Sequence, residues 1–361
     1  MTPKKRTEPD PTPIVLSDEP RSLLLLDPCS TEEAVLSTPA YSAVGSRFRE
    51  AKRALVTAEE NARLLCGDPN FHEVIGIRTG FQVRDWLNAR SLRLIFTLRR
   101  SRYDAAIDLT DGARMAPVAS LLGIPIRIGL AGAASSRHLT HAVSLDPVPA
   151  DPLKRKLALL ERLGCPSRRR RPVLFPAPGD ERYVRDLVRG TGLEARGRFL
   201  VIAPTPNWPA ILPPRALAGV ADAIGAEHPS LAVFFAGHHG LKDYINETVS
   251  LCGRRPSVLH LSPNHFAAFA SISDLVIGGE GLPSLLASAV GAHVIGVFAS
   301  THGSDPQDDL PIDATSLLAL VRGGLAGNAP TVRRTEKRRY YEQEDFRRTR
   351  GEANLFLHTA P

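Results

Sequence analysis

Aromatic residues make up only 6% of this 361-residue chain, and it has just four cysteines. Cys29, Cys66, Cys165 and Cys252 lie far apart without CxxC spacing. That argues against a zinc site and gives no disulfide framework, so a reducing, cytoplasmic compartment is expected. Long apolar runs are missing too, and none approaches the roughly 20 residues of a membrane-spanning helix. Residues 1–20 carry charge and proline but no apolar signal region, and read as a disordered lead-in. There is no nucleic-acid-binding motif and no basic groove studded with aromatics, so nucleic acid is not expected as a partner.

What is present describes a globular α/β protein. A 43% hydrophobic content beside 23% charged residues is too apolar for a disordered chain. The length suits two domains of about 100–200 residues each. The net charge of +7 is concentrated in the run Arg168–Arg171 and in a basic tail over residues 332–350. Such clusters serve solvation, anionic surfaces or phosphorylated ligands.

Strand and helix signals alternate in two blocks. In the first, strands are expected at Ser22–Leu26 (SLLLL), Ala51–Val56, Val74–Ile77, Ala105–Leu109 and from Arg127, with helices at Thr31–Val44, Glu59–Leu65, Trp86–Arg99, Ala113–Leu122 and Asp151–Leu163. The proline- and arginine-rich stretch CPSRRRRPVLFPAPGD then reads as a linker. In the second block, strands are expected at Phe199–Ala203, Leu231–Ala236, Val258–Leu261, Leu275–Gly278 and Val294–Phe298. The helices there are Pro214–Ala226, Lys242–Leu251, Pro263–Ser271, Pro283–Val290 and Ala314–Val321. Short continuous apolar runs suit parallel strands buried on both faces, so two doubly wound sheets follow. The expected division is a domain over 21–175, a second over 176–327 and a basic helical tail over 328–361.

Several segments in collinear order resemble glycosyltransferase family 9, the bacterial heptosyltransferases. SLLLLDPCSTEEAVLSTPAYSAV is similar to the family's opening strand, catalytic loop and "TxPAL" helix. YDAAIDLTDGARMAPVASLLGIPIRIGL resembles its "YDxVIDLQG…LLGxxxRIGF" segment, and ADPLKRKLALLERLG its "HxVDRYLxLLxxLG" helix. APTPNWPAILPPRALAGVADAI, FFAGHHGLKD and FAAFASISDLVIGGEGLPSLLASAVGAHVIGVFAST resemble three successive motifs of its second half. The resemblance spans about Arg21 to Arg322. It implies a GT-B architecture, two Rossmann-like domains facing a central cleft with a C-terminal helical tail. The first domain would recognise the acceptor and the second the nucleotide sugar.

Inverting sugar transfer needs a base for the acceptor hydroxyl and stabilisation for the departing diphosphate. The family's loop aspartate matches Glu33, with Glu32 at the preceding glycine. Ser30-Thr31-Glu32-Glu33 also fits a helix capping box, so Glu33 is either cap or base. In the loop Gly278–Leu285, Glu280, Gly281 and Pro283 match nucleotide-sugar contacts, backed by a glycine-rich turn into a helix N-terminus. Leu285 stands where the family has a histidine; the alternative puts Leu285 and Leu286 in the core. Thr205 and Asn207 retain donors toward the phosphates, while Ile211 or Leu212 replaces a family lysine. His238, His239 and Lys242 are placed to compensate.

Asp111, Arg114 and Arg127, with Asp108 and Arg137, are expected at strand ends where an anionic acceptor would bind. No metal and no cofactor beyond the nucleotide-sugar co-substrate are expected. The expected partners are a nucleotide-sugar donor and an anionic glycan or glycolipid acceptor of the lipopolysaccharide core. The basic tail would give peripheral inner-membrane contact and pack back on the first domain. The alternative is a catalytically silent GT-B protein that binds a nucleotide, glycan or protein partner.

Overall fold

A computed structural model describes residues 18–78, 89–167, 171–192, 197–237, 239–297 and 314–325, together with Ile14 and Leu16. Most of the lead-in, most of the Arg168–Arg171 run, Trp86, His238, Phe298 and the tail from residue 326 onward therefore lie outside the described residues. The chain forms two compact units, Met1–Phe175 and Pro176–Pro361.

In the first unit, β1 (Ser22–Leu26) leads to α1 (Thr31–Leu36) and α2 (Thr38–Arg47), then β2 (Lys52–Ala58), α3 (Glu59–Leu65), β3 (Glu73–Ile77) and α4 (Ala89–Arg100). There follow β4 (Ala105–Asp108), a 3-10 turn (Asp111–Ala113), α5 (Ala116–Leu121), β5 (Ile126–Leu130), a second 3-10 turn (Ser136–His138), β6 (His141–Val143) and α6 (Pro152–Arg162). Every strand pair is parallel, in the order β3-β2-β1-β4-β5-β6. Leu23 to Leu26 are all buried, as a strand covered on both faces requires.

Thr31–Val44 is two helices rather than one. Pro39 has no N–H to continue the ladder. The Thr38 hydroxyl instead donates to the Val35 carbonyl at 2.8 Å, and the Ser37 hydroxyl to that of Glu33 at 2.7 Å. β6 escapes the sequence reading because three residues give too short an apolar signal.

In the second unit, α7 (Pro178–Gly190) precedes β7 (Arg198–Ala203), α8 (Trp208–Ile211), α9 (Pro214–Glu227), β8 (Leu231–Ala236) and α10 (Lys242–Leu251). β9 (Ser257–Leu259), α11 (Pro263–Ser271), β10 (Leu275–Gly278), α12 (Leu282–Ala289), β11 (Val294–Gly296) and α13 (Ala314–Leu325) complete it. These strands are also parallel, ordered β11-β10-β7-β8-β9. The core gathers Leu200, Ile202, Trp208, Phe235, Leu275 and Ile277 with Leu317 and Val321 of α13. α7 starts within the stretch read as linker, with proline in its first turn where no N–H is needed.

In each sheet the strand order reverses once, between β1 and β4 and between β7 and β10. Open α/β sheets bind ligands outside the carboxyl ends of their strands at such reversals.

Candidate active site

At the first reversal, Leu26 is in register with Asp108, so the chain leaves β1 as Asp27 beside the last residue of β4. Asp27 is fully buried, and what holds its charge there is Lys156 of α6. α6 begins at Asp151, whose side chain accepts the Lys154 N–H at 2.9 Å. Its inward face carries Lys156, Leu159 and Leu160, one turn apart. Lys156 Nζ donates to both Asp27 oxygens and to Ser37 Oγ, each at 2.8 Å, and meets Glu33 Oε1 at 2.9 Å. The Tyr41 hydroxyl donates to Asp27 Oδ2 at 2.8 Å.

Burial disfavours the Lys156 ammonium, but Asp27, with Glu33 beside it, outweighs that and holds the group above the ordinary lysine range. Burial, and then the Asp27 charge, push the Cys29 thiol and the Tyr41 phenol up, so both stay neutral. Asp27, Cys29 and Glu33 offer ligand atoms within 4.8 Å of one another, a grouping that suits a divalent ion, but the cation among them is Lys156.

Glu33 lies in the capped first turn of α1. Its N–H is capped by Ser30 Oγ at 3.3 Å, while its carboxylate goes to Lys156 and remains 37% exposed. Asp27, Lys156, Ser37 and Tyr41 were missed by the sequence reading. Two signals pointed to them, an acid abutting a buried leucine strand and a lysine on the apolar face of a helix.

Beside Asp27, the Asp108 carboxyl is buried. Its Oδ1 accepts the Thr110 N–H at 2.9 Å and the Thr110 hydroxyl at 2.5 Å, while Oδ2 has no partner among the described residues. Burial pushes its pKa up to about 7 against the opposing effect of Thr110. Asp111 follows in an exposed 3-10 turn, 3.5 Å from Arg155, and Arg114 is exposed just after it.

Arg127 departs from expectation. It is the second residue of β5, at the strand's amino end, and its guanidinium donates to the carbonyls of His138 (2.6 Å), Ile124 (2.5 Å) and Pro125 (3.5 Å). Nε and Nη1 are thus engaged with backbone carbonyls, so Arg127 clamps a loop at the amino end of β5 rather than standing at the carboxyl end. Arg137, in the second 3-10 turn, donates to His138 Nε2 at 3.1 Å.

At the second reversal, Gly278 is in register with Ala203, which brings the loops after β10 and β7 together. Gly279 passes so close to the other loop that a Cβ there would collide with Thr205 Oγ1 and lie 2.5 Å from Trp208 Nε1. Trp208 is fully buried and its indole N–H has no partner among the described residues. Gly281 caps α12 at φ +119°, a backbone state open to glycine. Ser284 Oγ ties the loop by donating to the Gly279 carbonyl at 2.6 Å.

Thr205 is buried, whereas Asn207, Glu280 and Gly281 are exposed, and Pro283 lies half-buried in the first turn of α12. Leu286 is buried in the core, but Leu285 is only half-buried. His239 opens a 3-10 turn (His239–Leu241), and its side chain lies outside the described residues. His260 follows β9 directly, with its ring so close to Gly237 that a Cβ there would collide with it; sequence reading gave no sign of it.

Both chemically equipped loops thus lie at the carboxyl ends of parallel strands at a reversal, and known proteins share this plan. Residues 91–315 match the sequence profile of glycosyltransferase family 9 (heptosyltransferase). The chain belongs to this family. A lipopolysaccharide heptosyltransferase 3 from Escherichia coli is 22% identical over 282 residues, covering 74% of this chain and 81% of that protein. The fold is shared with a family 9 glycosyl transferase from Veillonella parvula, at a TM-score of 0.68 and 15% identity, covering 85% of this chain and 97% of that one. It is also shared with an Escherichia coli heptosyltransferase solved with ADP-2-deoxy-2-fluoro heptose, at a TM-score of 0.59 and 14% identity, covering 83% and 99%.

Proposed function

We propose that this family 9 protein moves a sugar, with inversion and without a metal ion, from a nucleotide-sugar donor to an anionic glycan or glycolipid of the lipopolysaccharide-core type. The observation that carries the reading is Glu33, a partly open carboxylate held over a buried Asp27–Lys156 pair at the sheet reversal. The acceptor hydroxyl gives its proton to Glu33 as its oxygen bonds to the anomeric carbon. The bond from that carbon to the diphosphate breaks, and its electron pair leaves with the diphosphate. Within the second unit, the first-turn amides of α12 and the Thr205 hydroxyl are the donors available to a diphosphate.

Asp111 and Arg114, both exposed beyond β4, are the acceptor-side residues of this proposal. An ADP-linked heptose is the first donor to try, since a related Escherichia coli structure holds its analogue. Leu285 favours a second reading, a silent nucleotide or glycan binder, because a half-buried leucine cannot hydrogen-bond a phosphate.

Membrane contact is supported by the outer face of α4, where Phe96 is 67% exposed among exposed Arg93, Arg99 and Arg100. No helix among the described residues is long and apolar enough to cross a membrane.

The test is donor consumption in the presence of a deacylated core oligosaccharide. Glu33→Gln is expected to lower turnover by about 10²-fold or more while leaving donor binding intact. Undiminished turnover in that variant contradicts the base role. Donor binding without turnover by the unaltered protein selects the silent reading.

A further inference from the structure

We propose that Lys156 is a positioning residue for Glu33, and that the buried Asp27 is the anchor through which it acts. The inference rests on Glu33 as base. An ammonium has three N–H donors, and four oxygens surround this one at 2.8–2.9 Å. Three of the four are fixed by other means. Asp27 Oδ2 also accepts the Tyr41 hydroxyl, both Asp27 oxygens belong to one buried carboxylate, and the proton of Ser37 Oγ is committed to the Glu33 carbonyl. Glu33 Oε1 is the remaining oxygen, and its carboxylate is the one that reaches the surface.

Lys156 faces Asp27 after β1, Cys29 in the next loop and Glu33 on α1, with Tyr41 of α2 bound to Asp27; burial keeps Cys29 and Tyr41 neutral. The buried Asp27 carboxylate accepts from Lys156 at both oxygens and from Tyr41 at one of them, so it anchors the ammonium, and the anchored ammonium fixes Glu33 Oε1.

A purely structural role accounts poorly for this arrangement. A buried ion pair is seldom more stable than apolar residues of the same volume. This one spans 129 residues of sequence and extends a donor to a partly exposed acid outside the pair.

The test needs no substrate. Carboxyl resonances of protein labelled with ¹³C at glutamate side chains are recorded by NMR at a single pH, with Glu33 assigned by its loss in Glu33→Gln. In the double variant Asp27→Asn, Lys156→Met, which strands no buried charge, the Glu33 resonance is expected to move because the ammonium that holds Oε1 is gone. An unmoved resonance in the folded double variant overturns the proposal. If that variant does not fold, the ¹⁵Nζ resonance of Lys156 is compared between the unaltered protein and Glu33→Gln, which leaves the buried pair intact. A displaced resonance supports the proposal, and an unmoved one overturns it. Neither readout involves turnover, so a failure of Glu33 as base would show separately in the donor-consumption assay.

Discussion

Asp108 is a carboxyl whose burial sets a pH dependence. Its ordinary pKa is 3.8 and its folded value about 7. At low pH it is protonated in both states. As pH rises, the unfolded chain ionises first, so the folded state loses stability from about pH 4 to about pH 7 and no further above that. Asp108→Asn keeps an acceptor for Thr110 and cannot ionise. Its melting temperature is expected to fall less between pH 5 and pH 8 than that of the unaltered protein; parallel falls would contradict the assignment.

Gly279 makes a second residue-scale prediction. A methyl group there meets Thr205 and the rigid, buried Trp208, so Gly279→Ala is expected to destabilise by about 1–3 kcal/mol, measured by denaturant unfolding. Of the residues that build the first site, Glu33 was legible from its place in a motif. Its partner was not, because nothing in sequence couples Asp27 to a lysine 129 positions away.

Elements were legible where the apolar period was strong. α10 and α11 match the sequence reading residue for residue, and β1, β8 and β10 do as well. Misreadings occurred where a local device overrode the period. Pro39 split one expected helix into α1 and α2, and α7 began inside the proline- and arginine-rich stretch read as linker, which hid its start.

At this scale α4 carries a prediction of its own. Replacing Arg93, Arg99 and Arg100 by glutamate, all outward-facing, is expected to abolish sedimentation with phosphatidylglycerol-containing vesicles and to leave the melting temperature within about 2 °C. Vesicle binding retained by this variant would assign the membrane contact elsewhere in the chain.

Over the whole molecule, alternation of strand and helix signals was enough to give two parallel α/β units, because buried parallel strands leave continuous apolar runs. The order of the strands was not readable from periodicity. Yet that order makes the chemistry local, since Asp27 and Asp108 adjoin at one reversal and Thr205 and Gly279 at the other only because β1 pairs with β4 and β7 with β10. The second reversal bears on the central claim, that this family 9 chain binds a nucleotide sugar despite Leu285. The direct measurement is isothermal titration of the full-length protein with ADP-, UDP-, GDP- and CMP-linked sugars. Saturable binding of one class at one site per chain is the predicted result, and no heat of binding from any of the four would contradict it.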